Sequence, residues 1–136
     1  MDTRLQNNNV FSHTKMIAIL SDIKLLDCSI LDRIQLTLPA QQVSQLKELF
    51  RQSSHQSLTK MAVAYQNADW STFIKAAHSL VGACENLGLF RLAHLARWIE
   101  HSAQNNLWEA LPELLNAIGP LQEKSMKALE AWFAQD

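Results

Sequence analysis

One helical face of the sequence carries a histidine among small and polar neighbours, and these residues could do chemistry. Over residues 70–87, at 100° per residue, this face holds Ser71, Lys75, His78, Gly82 and Glu85, at spacings of four, three, four and three. An imidazole in the middle of such a face is open to solvent. Imidazole is partly neutral at pH 7, so it can attack an electrophile without a dedicated base. The pattern is therefore compatible with a phosphoryl group held on a ring nitrogen of His78.

Gly82 lies one turn after His78 and removes the side chain that would otherwise crowd the imidazole. A glycine inside a helix costs roughly 0.5–1 kcal/mol relative to alanine, and close approach of another protein's surface would explain its presence here. Lys75 can bring an ammonium group to the same patch, and Ser71 and Ser79 add hydroxyl groups. The alternative is a histidine that is merely solvated, the usual state of a lone histidine on an amphipathic helix.

The elements that position His78 are predicted to be helical almost throughout, because apolar residues recur at three- and four-residue steps. Asp69 is a candidate N-cap for the His78 helix, and Gly88 is a typical stop signal. A kink or break is expected at Gly119-Pro120, since proline lacks a backbone donor. The predicted helices are Lys15–Asp27, Ser29–Leu38, Pro39–Asn67, Trp70–Leu87, Leu89–Gln104 and Leu107–Phe133.

Short turns between the four long segments imply antiparallel neighbours. The predicted fold is all-α, an antiparallel up-down four-helix bundle with a short helical N-terminal extension. We expect residues 1–13 to be a flexible N-terminus and residues 14–136 to form a single domain. The core stripe of the His78 helix consists of Phe73, Ala77, Leu80, Cys84 and Leu87, with Ile74 and Val81 at one flank.

Composition narrows the class of protein further. Twelve Lys and Arg against 13 Asp and Glu give a net charge of −1, which argues against nucleic-acid binding. The most apolar early run, Met16–Leu31, contains charged residues, so no membrane span is predicted and a cytoplasmic monomer is expected. Cys28 and Cys84 have no ligand spacing around them. We therefore predict no metal site and interpret both cysteines as small buried residues.

The run from Ala76 to Leu89 reads AAHSLVGACENLGL. It closely resembles the signature of the histidine-phosphotransfer (HPt) domain family, roughly Ala-His-Ser/Thr-Leu-Lys-Gly-small-small-x-Asn-Leu-Gly. The family's following pattern, Leu-x-x-Leu-Cys/Ala-x-x-Leu-Glu, is echoed by Leu92, Leu95, Ala96, Ile99 and Glu100. The resemblance covers about residues 25–134, and its specific part is Ala77–Gly88.

The resemblance implies a phosphorelay intermediate, in which His78 accepts a phosphoryl group from a receiver-domain aspartate and passes it to another receiver. It implies no autonomous kinase activity and no cofactor, the divalent cation coming with the receiver domain. With the helix spacing, we expect Lys75, Ser79 and Gly82 to lie beside the phosphoryl group. The residues expected to dock on the partner are Ser71, Ile74, Val81 and Glu85.

The sequence departs from the family pattern at Val81, where the family has a lysine near the phosphoryl group. Valine can neither carry charge nor donate a hydrogen bond, and Lys75 is a candidate substitute. Two alternatives to the carrier function therefore stay open. One is a degenerate HPt-like adaptor that binds a receiver or kinase without carrying phosphate, and the other is an unrelated helical scaffold.

Overall fold

The computed structural model describes residues 15–134, so the expectation of a flexible segment at residues 1–13 lies outside the described residues. Every regular element in the described range is a helix. The helices are α1 (Met16–Asp22), α2 (Cys28–Thr37), α3 (Ala40–Gln66), α4 (Trp70–Asn86), α5 (Phe90–Gln104) and α6 (Leu111–Phe133).

Local signals fix both ends of α4, the helix that carries His78. The carboxylate of Asp69 accepts a hydrogen bond from the backbone N–H of Thr72 at 3.3 Å, which confirms the predicted N-cap. This contact lowers the pKa of Asp69 below its ordinary value. At the other end Gly88 takes a positive φ of 71°, and the N–H of Leu89 bonds back to the carbonyl of Cys84 at 2.9 Å. The chain can therefore reverse directly into α5.

Helices α3, α4, α5 and α6 pack in sequence around one apolar core. The predicted core stripe of α4 is confirmed, since all five of its members are buried. Between α3 and α6, Gln122 Nε2 donates a 2.6 Å hydrogen bond to the hydroxyl of the fully buried Ser54. The predicted all-α bundle is therefore the observed fold, and its core face turns His78 away from the interior.

The N-terminal extension docks on the turn that joins α4 to α5. The N–H of Asp27 donates to the carbonyl of Gly88, and Arg91 Nε donates to the carbonyl of Ile23, both at 2.7 Å. Leu31 of α2 is fully buried in the core. The extension thus covers one end of the bundle.

Three sequence predictions about these elements were wrong. The first helix ends at Asp22 instead of continuing to Asp27, because the carbonyl of Ile23 accepts from Arg91 of α5 and the N–H of Asp27 donates to Gly88, so neither group continues a helix. The last helix begins at Leu111 instead of Leu107. It also continues through Gly119 and Pro120, where a kink or break was expected. Asn116, whose carbonyl loses its helical partner, is exposed, so water can satisfy that group.

Cys28 is exposed, contrary to prediction, because it opens α2 beside the cap residue Asp27 and its side chain faces solvent. Cys84 is buried, as predicted, and burial raises the pKa of its thiol to about 12. Within residues 15–134, no helix is long and apolar enough to cross a membrane.

Candidate functional site

His78 lies on the open surface of α4 with its side chain 75% exposed. Ser71, Lys75 and Ser79 on the same helix are exposed as well. The predicted polar face of α4 is therefore present as a continuous surface around the imidazole. A reagent or a partner can reach the ring without any change in the bundle.

A carboxylate from the neighbouring helix holds one nitrogen of the ring. Nδ1 of His78 lies 2.7 Å from Oε2 of Glu100, and the Glu100 side chain is only 13% exposed. A carboxylate accepts hydrogen bonds, so Nδ1 is assigned as the N–H donor. The contact fixes the tautomer in which Nε2 has the free lone pair. Nε2 is therefore the nitrogen available for nucleophilic chemistry.

Glu100 is itself held by its surroundings. It lies on α5 among residues that pack into the core, which limits the positions that its side chain can take. Nε2 of Gln104, one turn further along α5, lies 3.5 Å from the same carboxylate oxygen. A largely buried carboxylate orients an imidazole better than a mobile surface residue would, because less side-chain freedom is lost in the contact.

Gly82 leaves an open space beside the ring. A Cβ atom built at Gly82 would meet no atom within 4 Å, so the fold itself does not require a glycine at this position. Gly82 therefore leaves the surface next to His78 without a protruding side chain, and it does not improve the packing of the bundle. This is the property that a docking surface for a second protein would need.

Two predicted docking residues differ in what they offer to a partner. Ile74 is partly buried and leaves some apolar surface next to the polar face. Val81 is only 5% exposed and belongs to the core, so its expected place in the docking surface was wrong. Position 81 lies on the packed flank of α4. A lysine there could extend its long side chain to the surface, but valine is too short to do so.

Glu85, the last predicted docking residue, is exposed and forms an ion pair with Arg97 of α5. Arg97 lies one turn before Glu100, so the Glu85–Arg97 ion pair and the His78–Glu100 hydrogen bond both bridge α4 and α5. Sequence reasoning assigned no role to Glu100 or Arg97. A signal was available in the sequence. His78 lies ten residues before the turn at Gly88 and Glu100 twelve residues after it, so an antiparallel pair of helices brings the two to a similar height.

The site offers no metal-binding set of its own. Within residues 15–134, no three His, Cys, Asp or Glu side chains are grouped closely enough to hold a metal ion. The thiol of Cys84 lies on the opposite, buried side of α4, and its raised pKa keeps it protonated near neutral pH. The reactive group that remains on this face is the His78 imidazole.

The fold and this surface define a class: a helical bundle that presents one histidine from its second long helix. The sequence model of the Hpt domain matches residues 45–132, which is more than half of the chain. The chain therefore belongs to the Hpt domain family. No curated protein matches the chain in a sequence search.

A solved structure shows the same architecture. The histidine-containing phosphotransfer protein B (HptB) from Pseudomonas aeruginosa PAO1 superposes with a TM-score of 0.69 at 24% sequence identity. The match covers 82% of this chain and 92% of that one. Members of the Hpt family are phosphocarriers of phosphorelays that interact with receiver domains, and this chain is a histidine phosphotransfer protein of that kind.

Proposed function

We propose that His78 is the phosphoryl-accepting residue, and that the protein takes the group from one receiver-domain aspartate and gives it to another. The hydrogen bond between His78 Nδ1 and Glu100 is the observation that carries this proposal. It sets the tautomer and leaves Nε2 as the nucleophile on an exposed side chain.

The transfer follows from that geometry. The Nε2 lone pair forms a bond to the phosphorus of the aspartyl phosphate, and the bond from phosphorus to the aspartate oxygen breaks with the carboxylate as leaving group. The imidazole keeps its Nδ1 proton and becomes positively charged. The carboxylate of Glu100 lies where it offsets this charge. The reverse sequence passes the group to the second receiver, whose divalent cation balances the charge of the moving phosphoryl group.

The docking surface that we propose surrounds His78 on α4. Gly82 allows close approach, Ser71 and Ser79 offer hydroxyl groups, and Ile74 supplies an apolar contact. Glu85 extends the surface toward the end of α4, where it can meet a basic group of a receiver.

One observation favours a second function, an adaptor that binds a receiver without carrying phosphate. Val81 replaces the lysine of the family pattern and is buried, so position 81 supplies no charge to a phosphoryl group. An adaptor needs the docking surface but not the nucleophile.

The two functions differ in a direct test. The protein is mixed with a panel of phosphorylated receiver domains, and label that is acid-labile and base-stable is sought on the wild type and on His78→Gln. A carrier gains label that the variant lacks. Complex formation without label on the wild type, or label that persists in His78→Gln, would contradict the assignment of His78.

A further inference from the structure

The surface around His78 offers two cations that could face a phosphoryl group in place of the lysine missing at position 81. Lys75 lies three residues before His78 on α4, and Arg97 lies three residues before Glu100 on α5. Both side chains are exposed. They differ in the carboxylate that each one acts on, which is Asp69 for Lys75 and Glu85 for Arg97.

The stem of Lys75 starts toward the N-terminal end of α4, because side chains on a helix lean toward its N-terminus. The pKa of the cap carboxylate of Asp69 is lowered chiefly by its hydrogen bond to Thr72 and also by the charge of Lys75. Lys75 therefore balances charge at the beginning of the helix.

Arg97 reaches α4 on the C-terminal side of His78, the side on which Gly82 leaves open space. Its guanidinium bonds to Glu85, which follows His78 by two turns on the same face of α4. Gly82 lies between His78 and Glu85 and has no side chain to separate them. A change of rotamer can therefore bring the guanidinium from Glu85 toward the His78 ring.

The exchange is favoured by charge and geometry. Both partners of the Glu85–Arg97 pair are about half exposed, with side-chain exposures of 48% for Arg97 and 52% for Glu85, and exposed pairs of this kind are weak. A phosphoryl group carries about 1.5 to 2 negative charges and three acceptor oxygens. The planar guanidinium can bind two of these oxygens at once, whereas in the resting protein it contacts one carboxylate oxygen of Glu85.

We propose that Arg97 is the cation of the phosphorylated site: when His78 carries a phosphoryl group, Arg97 leaves Glu85 and pairs with the phosphoryl oxygens. This inference rests on the proposed function of His78. Glu85 then serves as the resting partner that keeps Arg97 beside the site in the unphosphorylated protein.

The test uses phosphoramidate, a small donor that requires no receiver. Its P–N bond breaks, phosphorus bonds to Nε2 of His78, and the nitrogen of the donor leaves as ammonia. The pKa of the protein-bound phosphoryl group is then read from the pH dependence of its ³¹P chemical shift. A guanidinium in contact lowers this pKa, so Arg97→Gln should raise it by about one unit relative to wild type.

Three variants make the test specific. Lys75→Gln removes the rival cation and should leave the phosphoryl pKa unchanged, whereas Arg97→Lys should restore part of the wild-type value. Glu85→Gln frees Arg97 and should leave the pKa at or below that of wild type. Circular dichroism checks that each variant is folded.

Two results would overturn the inference alone: a wild-type phosphoryl pKa in Arg97→Gln, or a raised one in Lys75→Gln. Wild-type protein that gains no label at His78, with His78→Gln as reference, would overturn the proposed function and this inference with it. The two failures are thus separate outcomes of one experiment.

Discussion

At the scale of single residues, the reactivity of the site depends on how Glu100 holds His78. The contact joins an exposed ring to a largely buried carboxylate, so the bundle orients the ring and leaves Nε2 free. In the proposed transfer, the same carboxylate offsets the charge that the ring gains when Nε2 bonds to phosphorus. We expect both effects to act on the proposed transfer and neither to be needed for folding.

Replacing Glu100 by glutamine should slow phosphoryl transfer to His78 without unfolding the protein. The amide is nearly the same size but carries no charge, and it can donate to Nδ1 and so favour the wrong tautomer. We expect a loss of about 10- to 100-fold in the rate of labelling by phosphoramidate, as for other side chains that orient a reactive imidazole.

Glu109→Gln is the matched control for this prediction, because it removes the same charge from an exposed position in the α5–α6 connection. It should label at the wild-type rate. Equal rates for Glu100→Gln and wild type would show that the contact does not orient the nucleophile.

At the scale of elements, the two glycines that flank the second half of α4 have different physical roles. Gly82 has free space around its missing Cβ. Gly88 has a φ of +71°, and a Cβ there would meet the carbonyl oxygen of Asp27 at 2.9 Å. The first glycine shapes the surface, and the second permits the turn and the docking of the extension.

Alanine substitutions should therefore change stability in opposite directions. Gly82→Ala removes a flexible residue from a helix and should stabilise the protein by roughly 0.5–1 kcal/mol. Gly88→Ala forces a left-handed conformation on alanine and should destabilise by at least about 1 kcal/mol. Urea unfolding of both variants measures this, and a loss of stability in Gly82→Ala would mean that the glycine is structural.

The cap of α4 should make stability depend on pH in the acid range. The pKa of Asp69 is lowered in the folded state from its ordinary value of 3.8, chiefly by its hydrogen bond to Thr72. Its contribution is therefore complete above the unfolded pKa and is lost as pH falls through the lower folded pKa. Thermal unfolding of Asp69→Ala should show a lower midpoint than wild type at pH 7, and the difference should shrink near pH 2.

Asp69→Asn separates the charge from the cap, because asparagine caps helices but does not titrate in this range. Because neither asparagine nor alanine titrates at position 69, wild type should lose the same amount of stability in acid relative to either variant, and Asp69→Asn should stay above Asp69→Ala by a constant margin. A difference between wild type and Asp69→Ala that stayed constant from pH 7 to pH 2 would contradict the role of the carboxylate.

At the scale of the whole molecule, the N-terminal extension and the bundle form a joint at the end of α4 and α5. Arg91 is central to it, since its Nε donates to the carbonyl of Ile23 and its backbone N–H to that of Leu25. The extension docks at Gly88, in the turn after α4, and His78 precedes Gly88 by ten residues. Stability and phosphoryl chemistry should thus be separable.

Arg91→Ala tests this separation. Loss of a partly buried, charge-assisted hydrogen bond should destabilise the protein by about 1.5–3 kcal/mol, seen as a lower midpoint of urea unfolding. Labelling of His78 by phosphoramidate under native conditions should continue at the wild-type rate. A slowed reaction in the folded variant would indicate that the extension also supports the site.

The sequence by itself determined the features that depend on neighbours within one helix. The polar face around His78, the Asp69 cap and the Gly88 stop all follow from residues a few positions apart, and all are present in the structure. The burial of the core stripe follows from the same periodicity. The resemblance in Ala77–Gly88 identified the family, which the family match confirms.

Only the tertiary structure decided which residues meet across helices. The pairing of Glu100 with His78 and of Arg97 with Glu85 depends on the register of α5 against α4, which local patterns leave open. The early end of α1 and the continuous α6 at Pro120 were mispredicted for a related reason. At the end of α1, contacts with α5 and the α4–α5 turn satisfy backbone groups, and at Pro120 solvent can do so. These partners lie outside the local segment and outweigh its own preference for helix or break.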